Sequence, residues 1–472
     1  MLRSRYRRSR YGQFPWWAAV LAGVLWLTLT VAEHMLNREH AALGEEDVYL
    51  LYVDRNLRIM ESGEDLGGLG QWLTGADEPL ETLVGLRQTM ERLAASDQLS
   101  AEAGVCLALL QYETGQEEEA RASLDLVSPE STAGRVLSGI VGAEEPDEAE
   151  VDELRSQVEG GSIYAWEARI MALVENPDFA SDPNTWFNHR GVNATMLSRI
   201  RFLFALDCLV LLSGLVCVPY AFRELRHRRP SALPRIMGRW RPSFVLGWFF
   251  AIEVLVNFLA AVQALLSSFI YSEDMSYYVF FSMWAVHVLL SQGYVALLLA
   301  AVLFARPWHA FKASRITGPV PWAALLTALS LMGILHLLAS VFLDLERVVD
   351  PSDFLIWSEV GILEFLFIFL SGCVAAPLFE EFVYRGVLFL GLRGWIGNVP
   401  ALVLSSVVFA AAHAQYEWEG LISVGVFGAF CGLLAWRTGS ILPGIVLHAG
   451  YNALIFGNTF LIYQFELWLP DY

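Results

Sequence analysis

PLFEEFVYRGVLFLGL, residues 377–392, is an apolar stretch of helix length with Glu380, Glu381 and Arg385 set into it. On insertion scales each such charge near the centre of a membrane helix costs about 2.5–3.5 kcal/mol, so something must compensate it. Residues 381 and 385 stand at i and i+4 on a helix, and Glu381 can pair with Arg385. Glu380 points about 100° away at 3.6 residues per turn and is left for another task.

The surrounding chain has the composition of a membrane protein. Of its 472 residues 55% are hydrophobic and 17% charged, and the mean hydropathy is +0.45. Apolar runs near the roughly 20 residues that cross a bilayer recur at 14–32, 200–222, 244–270, 278–305, 320–343, 355–392, 398–414, 420–436 and 440–457. The expected fold class is therefore all-α, a polytopic helical membrane protein of about nine spans. The net charge of −19 is uneven: residues 33–198 hold 33 Asp+Glu against 10 Arg, a balance of −23, which leaves +4 for the rest. An acidic water-soluble block is thus inserted into a membrane protein. The five cysteines, of which Cys106 alone lies in that block, supply no disulfide framework.

Basic and acidic connections alternate. Arg3, Arg5, Arg7, Arg8 and Arg10 precede the first span, seven Arg lie in 223–243, and Arg306, Lys312 and Arg315 lie in 306–319. The acidic block, then Glu273 and Asp274, then Asp344, Glu346, Asp350 and Asp353 fall between them. The positive-inside rule gives a multi-pass cell-membrane protein with a cytoplasmic amino terminus and residues 33–198 outside the cytoplasm. The first span is too long for a signal core and no small-x-small cleavage site follows it, so it reads as an uncleaved anchor. The expected organisation is a basic tail (1–13), an anchor helix (14–32), the acidic helical domain (33–198), accessory membrane helices (200–345), a core (355–457) and a tail (458–472).

Within the acidic domain apolar residues recur every three or four positions, the helical period. From Leu107 through Ala108, Gly115 and Ala120 to Leu124 the residue types and spacing resemble a tetratricopeptide (TPR) helix pair, with GQEEEA turning into the second helix. The acidic stretch 144–153 reads as a solvated face, and an acidic domain beside buried spans excludes nucleic acid as a partner.

Two further polar intrusions follow the 377–392 stretch. Phe409 and His413 stand at i and i+4, as do His448 and Asn452, so each helix presents its pair to one face. With Arg393, Asn398 and Arg437 as markers of one membrane surface and about 1.5 Å rise per residue, Glu380, His413, His448 and Asn452 lie roughly 20, 22, 16 and 22 Å deep. A carboxylate, two imidazoles and an amide at one level make a hydrolytic site: a base for water, proton carriers and an oxyanion donor. His287 and His336 read as core residues, and Asp207, Glu253, Asn257 and Glu364 are not assigned to the chemistry; Asp207 and Glu253 read as groups that bond across neighbouring helices or snorkel.

The order EExxxR (Glu380, Glu381, Arg385), FxxxH (Phe409, His413) and HxxxN (His448, Asn452) resembles the CPBP family of intramembrane proteases, which includes the CAAX prenyl endopeptidases and bacterial relatives linked to bacteriocin processing and immunity. RTGSILPGIVLHAGYN fits the family's run into its last motif, and residues 360–457 cover its core. The resemblance implies that Glu380 activates the attacking water, His413 and His448 assist, Asn452 helps hold the oxyanion, and Arg385 is a structural partner of Glu381. It implies a membrane-anchored protein or peptide substrate in the lipid bilayer, while the external domain suits a protein partner or a bacterial exported substrate. Two His and one Glu, here Glu380, His413 and His448, are also a zinc set; no HExxH occurs, and the reading adopted is water activated directly by Glu380 with no cofactor. A non-enzymatic membrane binding or immunity protein is the alternative. A proton-coupled transporter would show an internal repeat with broken helices, and none is visible.

The topology makes the first prediction. In a background without the five native cysteines, single cysteines placed within residues 45–190 should react with a membrane-impermeant reagent on intact cells, whereas those placed in 223–243 should be protected. Labelling of the 223–243 linker from outside would reverse the assignment.

Overall fold

The computed structural model describes residues 15–40, 79–96, 99–126, 131–142, 146–159, 165–175, 194–227, 241–270, 318–342, 362–413 and 418–463, together with single helical positions between 50 and 60. Every regular element among them is helical. The expected span at 278–305, His287, the basic tail 1–13 and the side chains of His336 and Glu364 lie outside the described residues. The chain divides into two compact units, one formed by 38–207 with 346–359 and 459–472, the other by 1–37, 208–345 and 360–458.

Helix α1 (Trp16–His40) comes first, and the first unit follows with α2 (Pro79–Ser96), α3 (Ala101–Glu113), α4 (Glu117–Leu126), α5 (Thr132–Gly142), α6 (Glu148–Glu159) and α7 (Ala165–Glu175). Ser100 caps α3 by accepting from the Ala103 N–H, which satisfies one of the donors a helix start leaves open. The α3–α4 turn is made by Gly115 at φ 81, a left-handed conformation that a Cβ would strain. Leu107, Ala108, Ala120 and Leu124, the positions that carried the TPR resemblance, are buried in this helical hairpin. α3 is the central helix, packing against α2, α4, α5 and α7. One tie has no local signature: Arg169 on α7 donates Nε to Glu113 Oε1 at 2.8 Å and Nη2 to Glu113 Oε2 at 3.1 Å, both side chains being almost fully buried. Such a two-pronged pair fixes geometry as well as charge. Burial pushes the Cys106 thiol well up, so it is an inert core residue, and all five cysteines are free.

The second unit contains most of α8 (Ala194–His227), then α9 (Pro242–Ile270), α10 (Trp322–Phe342), a long interrupted helix α11 over 362–396, α12 (Asn398–Ala411), α13 (Trp418–Thr438) and most of α14 (Leu442–Tyr463). By length and composition, Arg201–His227 and Gly420–Thr438 can cross a membrane; Trp16–Val31, Pro242–Phe258, Trp322–Leu335 and Asn398–Ala411 are shorter apolar helical stretches. Hydroxyls join helices here: Ser330 donates to the Leu211 carbonyl at 2.9 Å, and Ser405 to that of Tyr384 at 3.0 Å. Such bonds suit an apolar medium, where water cannot compete for the carbonyl.

Helix α11 was expected to be an ordinary helix and is not. It turns π-helical at Ser371–Ala375, returns to α over Ala376–Glu380, and is π-helical again over Glu381–Phe389. The expected pair still forms: Arg385 Nη1 lies 2.8 Å from Glu381 Oε1, both side chains wholly buried. Arg385 also donates Nη2 to the Gly428 carbonyl at 3.1 Å and lies 4.2 Å above the Phe409 ring, so the cation joins α11 to α12 and α13. Gly444 lets α14 approach: a Cβ there would stand 2.5 Å from Glu381 Oε2, too close for the carboxylate to stay.

Two predictions follow from these packings. Removing one partner of a buried pair strands the other, typically at about 3–5 kcal/mol. Arg385→Ala should therefore give a sharply lower yield of monodisperse protein in detergent, while Glu380→Gln, nearly isosteric and outside the pair, should match the unsubstituted protein; equal yields would refute this division. In the first unit, burial, then Glu102 and Asp54, push Glu167 up to about 7. The folded state thus binds a proton that the unfolded state has released, so this group's contribution is fully present below the unfolded value of 4.5 and is lost as pH rises through about 7. Glu167→Gln should leave stability nearly unchanged at about pH 4 and raise it at about pH 8, as read by hydrogen exchange of α3 and α7.

Candidate active site

Three helices carry the predicted residues. Glu380 ends the short α-helical piece of α11, His413 follows the end of α12, and His448 lies in the second turn of α14. Glu380 Oε2 lies 3.7 Å from His448 Nε2 and 4.0 Å from His413 Nε2. That oxygen is buried and has no hydrogen-bond partner among the described residues.

Both imidazoles are held from behind. The Phe409 carbonyl lies 2.8 Å from His413 Nδ1; a carbonyl only accepts, so Nδ1 carries the hydrogen and Nε2 faces the carboxylate. His448 Nδ1 is 3.3 Å from Glu381 Oε1, and the same reasoning turns its Nε2 to Glu380. Glu381 was expected to serve Arg385 alone. It serves both: one oxygen binds the guanidinium and one histidine of the site. The walls are aromatic, Phe409 lying 4.7 Å from the His413 ring and Phe427 5.0 Å from that of His448.

Asn452 sits one turn beyond His448, and its amide donates to the Gly372 carbonyl at 2.7 Å. The π-helical register explains this bond. The Ala376 N–H goes to Ser371 O, so the next donor in register, that of residue 377, would go to Gly372 O; residue 377 is proline and has none. Asn452 satisfies the carbonyl that Pro377 frees. One of its amide hydrogens is used so. The only sequence signal for this arrangement was a proline inside a span.

Sequence reasoning also missed Tyr384. Its side chain hydrogen-bonds that of Glu253 on α9, and its ring stands edge-on to Phe409 at 5.0 Å and to Phe249 at 5.3 Å. Glu253 thus bonds across helices as expected, while Asn257 bonds back to the Glu253 carbonyl of its own helix at 3.0 Å.

Among the described residues, no three His, Cys, Asp or Glu side chains are grouped so as to hold a metal ion. Glu380, His413 and His448 set two ring nitrogens facing one carboxylate oxygen in an apolar enclosure, an arrangement suited to proton transfer.

A family model described as type II CAAX prenyl endopeptidase Rce1-like matches residues 362–454, 93 of the 472 residues. No curated protein and no solved structure matches the chain. The matched segment runs from the start of α11 through Asn452 and contains all seven residues singled out by the three motifs. Residues 362–454 are accordingly similar to the CPBP/CAAX protease family, whose members are membrane-embedded peptidases.

Proposed function

We propose that the protein is an intramembrane endopeptidase that hydrolyses a peptide bond of a membrane-anchored protein or peptide, with Glu380 activating the water. The observation that carries this reading is the pair of imidazole Nε2 atoms facing one buried Glu380 oxygen at 3.7 and 4.0 Å. Those separations are too long for direct hydrogen bonds and suit a bridging water. Three groups surround such a water, which has two hydrogens, so one imidazole carries a second proton and donates it to the water oxygen. Glu380 then takes a proton from the water as its oxygen bonds to the scissile carbonyl carbon. The carbonyl oxygen becomes the oxyanion, met by the second amide hydrogen of Asn452 and the imidazolium. Collapse breaks the C–N bond, and the proton held by Glu380 passes to the departing amine. Water is consumed, and the site returns to its starting charge.

The acidic helical domain, with its TPR-like hairpin, is read as the part that recruits a protein partner or presents the substrate. A pure binding or immunity protein would have no use for the unpaired Glu380 beside two oriented imidazoles.

The test is cleavage, in proteoliposomes, of a fluorogenic farnesylated CAAX peptide and of its unprenylated counterpart. Glu380→Gln keeps size and hydrogen bonding but cannot take up the proton, and should lower kcat by about 10²–10⁴. His413→Ala, His448→Ala and Asn452→Ala should be strongly impaired, with losses that do not add. Activity should survive exhaustive chelation of protein shown by elemental analysis to be free of zinc; loss with recovery on zinc addition would overturn the direct role of Glu380. A Glu380→Gln protein as active as the parent would remove the enzymatic reading and leave the binding protein.

A further inference from the structure

We propose that Glu253, on the accessory helix α9 and outside the matched segment 362–454, is a positioning residue for the site, acting through Tyr384 and Phe409 on His413. The inference rests on the peptidase reading for its consequence but on geometry for its content.

Glu253 and Tyr384 are both buried, at 6% and 3% exposure, and their side chains are hydrogen-bonded to each other. The Glu253 carboxyl also lies within electrostatic reach of Glu380. Tyr384 is fixed at three places. Its hydroxyl is held by Glu253, its carbonyl accepts from Ser405 at 3.0 Å, and its ring is flanked edge-on by Phe249 and Phe409. Phe409 in turn meets His413 twice, by ring contact at 4.7 Å and through its carbonyl at 2.8 Å from Nδ1. Two rings, Tyr384 and Phe409, and one carbonyl therefore lie between the Glu253 carboxyl and the His413 imidazole that faces Glu380.

Ordinary helix adhesion does not call for a carboxyl here. Elsewhere in the unit neighbouring helices are joined by a hydroxyl on a carbonyl, as in Thr327 to Gly214 and Ser330 to Leu211. An ionisable residue buried within the membrane marks function more often than adhesion. A carboxyl accepting from a phenol fixes the ring plane, and a ring plane is what the edge-on contact with Phe409 transmits. An imidazole must be aligned with the atom it serves, and a misplacement of about 1 Å can cost 10²-fold in rate.

The experiment uses the full-length protein in proteoliposomes with Glu253→Ala, Glu253→Gln and Tyr384→Phe, compared per folded molecule. On the farnesylated CAAX peptide, Glu253→Ala should lower kcat about 10- to 100-fold with KM unchanged. Glu253→Gln, which still accepts from the tyrosine hydroxyl, should recover most of that loss. Tyr384→Phe should match Glu253→Ala, and the double variant should be no worse than either. Independently of any substrate, ¹⁵N resonances of His413 should report an Nδ1–H tautomer in the parent and in Glu253→Gln, and a mixture or an altered ring environment in Glu253→Ala. Parent-like His413 resonances in folded Glu253→Ala overturn the proposal, as does an unchanged kcat. Failure of Glu380→Gln to reduce cleavage would instead overturn the peptidase reading, while the ¹⁵N comparison would still decide what Glu253 does.

Discussion

A guanidinium in a low-dielectric interior must be surrounded by acceptors, and the second unit is arranged around meeting that need for Arg385. The cation has the Glu381 carboxylate, the Gly428 carbonyl and the Phe409 ring face, which come from three different helices. Moving any one helix by an ångström or two would leave a buried charge under-satisfied, and that cost holds the helices in register far more tightly than apolar contact, which is nearly as good against lipid. The pair is thus better understood as a source of positional precision than of net stability. The same pair reaches the chemistry: Glu381 binds Arg385 at 2.8 Å and His448 at 3.3 Å through one oxygen, so the group that fixes the helices also sets which nitrogen of His448 faces Glu380.

The π-helical turns have a related consequence. Each widens the helix by an extra residue, and such turns recur at functional sites because they displace side chains relative to a regular helix. Here they bracket Glu380, which ends the α-helical piece between Ser371–Ala375 and Glu381–Phe389. The first of them, followed by Pro377, exposes the Gly372 carbonyl, and Asn452 answers it. Asn452 therefore has a structural tie as well as its place beside the site, which is why its replacement can disturb both.

The contrast with the sequence is instructive where local rules apply and where they fail. Charges in an apolar stretch announce themselves, and i, i+4 spacing placed Arg385 on Glu381 correctly even though the backbone between them is π-helical, because side chains of that length tolerate the change in turn. Equal depth, counted from the helix ends, put Glu380, His413, His448 and Asn452 at one level; both ring nitrogens lie within 4.0 Å of Glu380, while Asn452 bonds to the Gly372 carbonyl. The bonds that were not legible join residues far apart in sequence: His448 to Glu381 across 67 positions, Asn452 to Gly372 across 80, Arg169 to Glu113 across 56. Nothing local selects those partners; they follow from which helices become neighbours. Tyr384 was overlooked for a different reason. A tyrosine in an apolar helix reads as core, and only its partner on α9 shows that the hydroxyl is used.

The division between matched and unmatched parts of the chain does not coincide with the division between chemistry and scaffold. The matched segment carries the three groups that face one another, yet the tyrosine backing one of them is held by a carboxyl from α9, outside that segment. Within an apolar enclosure every polar atom must find a partner, so residues that touch no reacting atom still constrain where the reacting atoms sit. Glu380 Oε2 departs from that rule, as do Glu381 Oε2 and Arg385 Nε, each buried without a hydrogen bond among the described residues. Of these atoms it is Glu380 Oε2 that faces two ring nitrogens, on imidazoles both held from behind, and the enclosure is organised around whatever that oxygen is to bind.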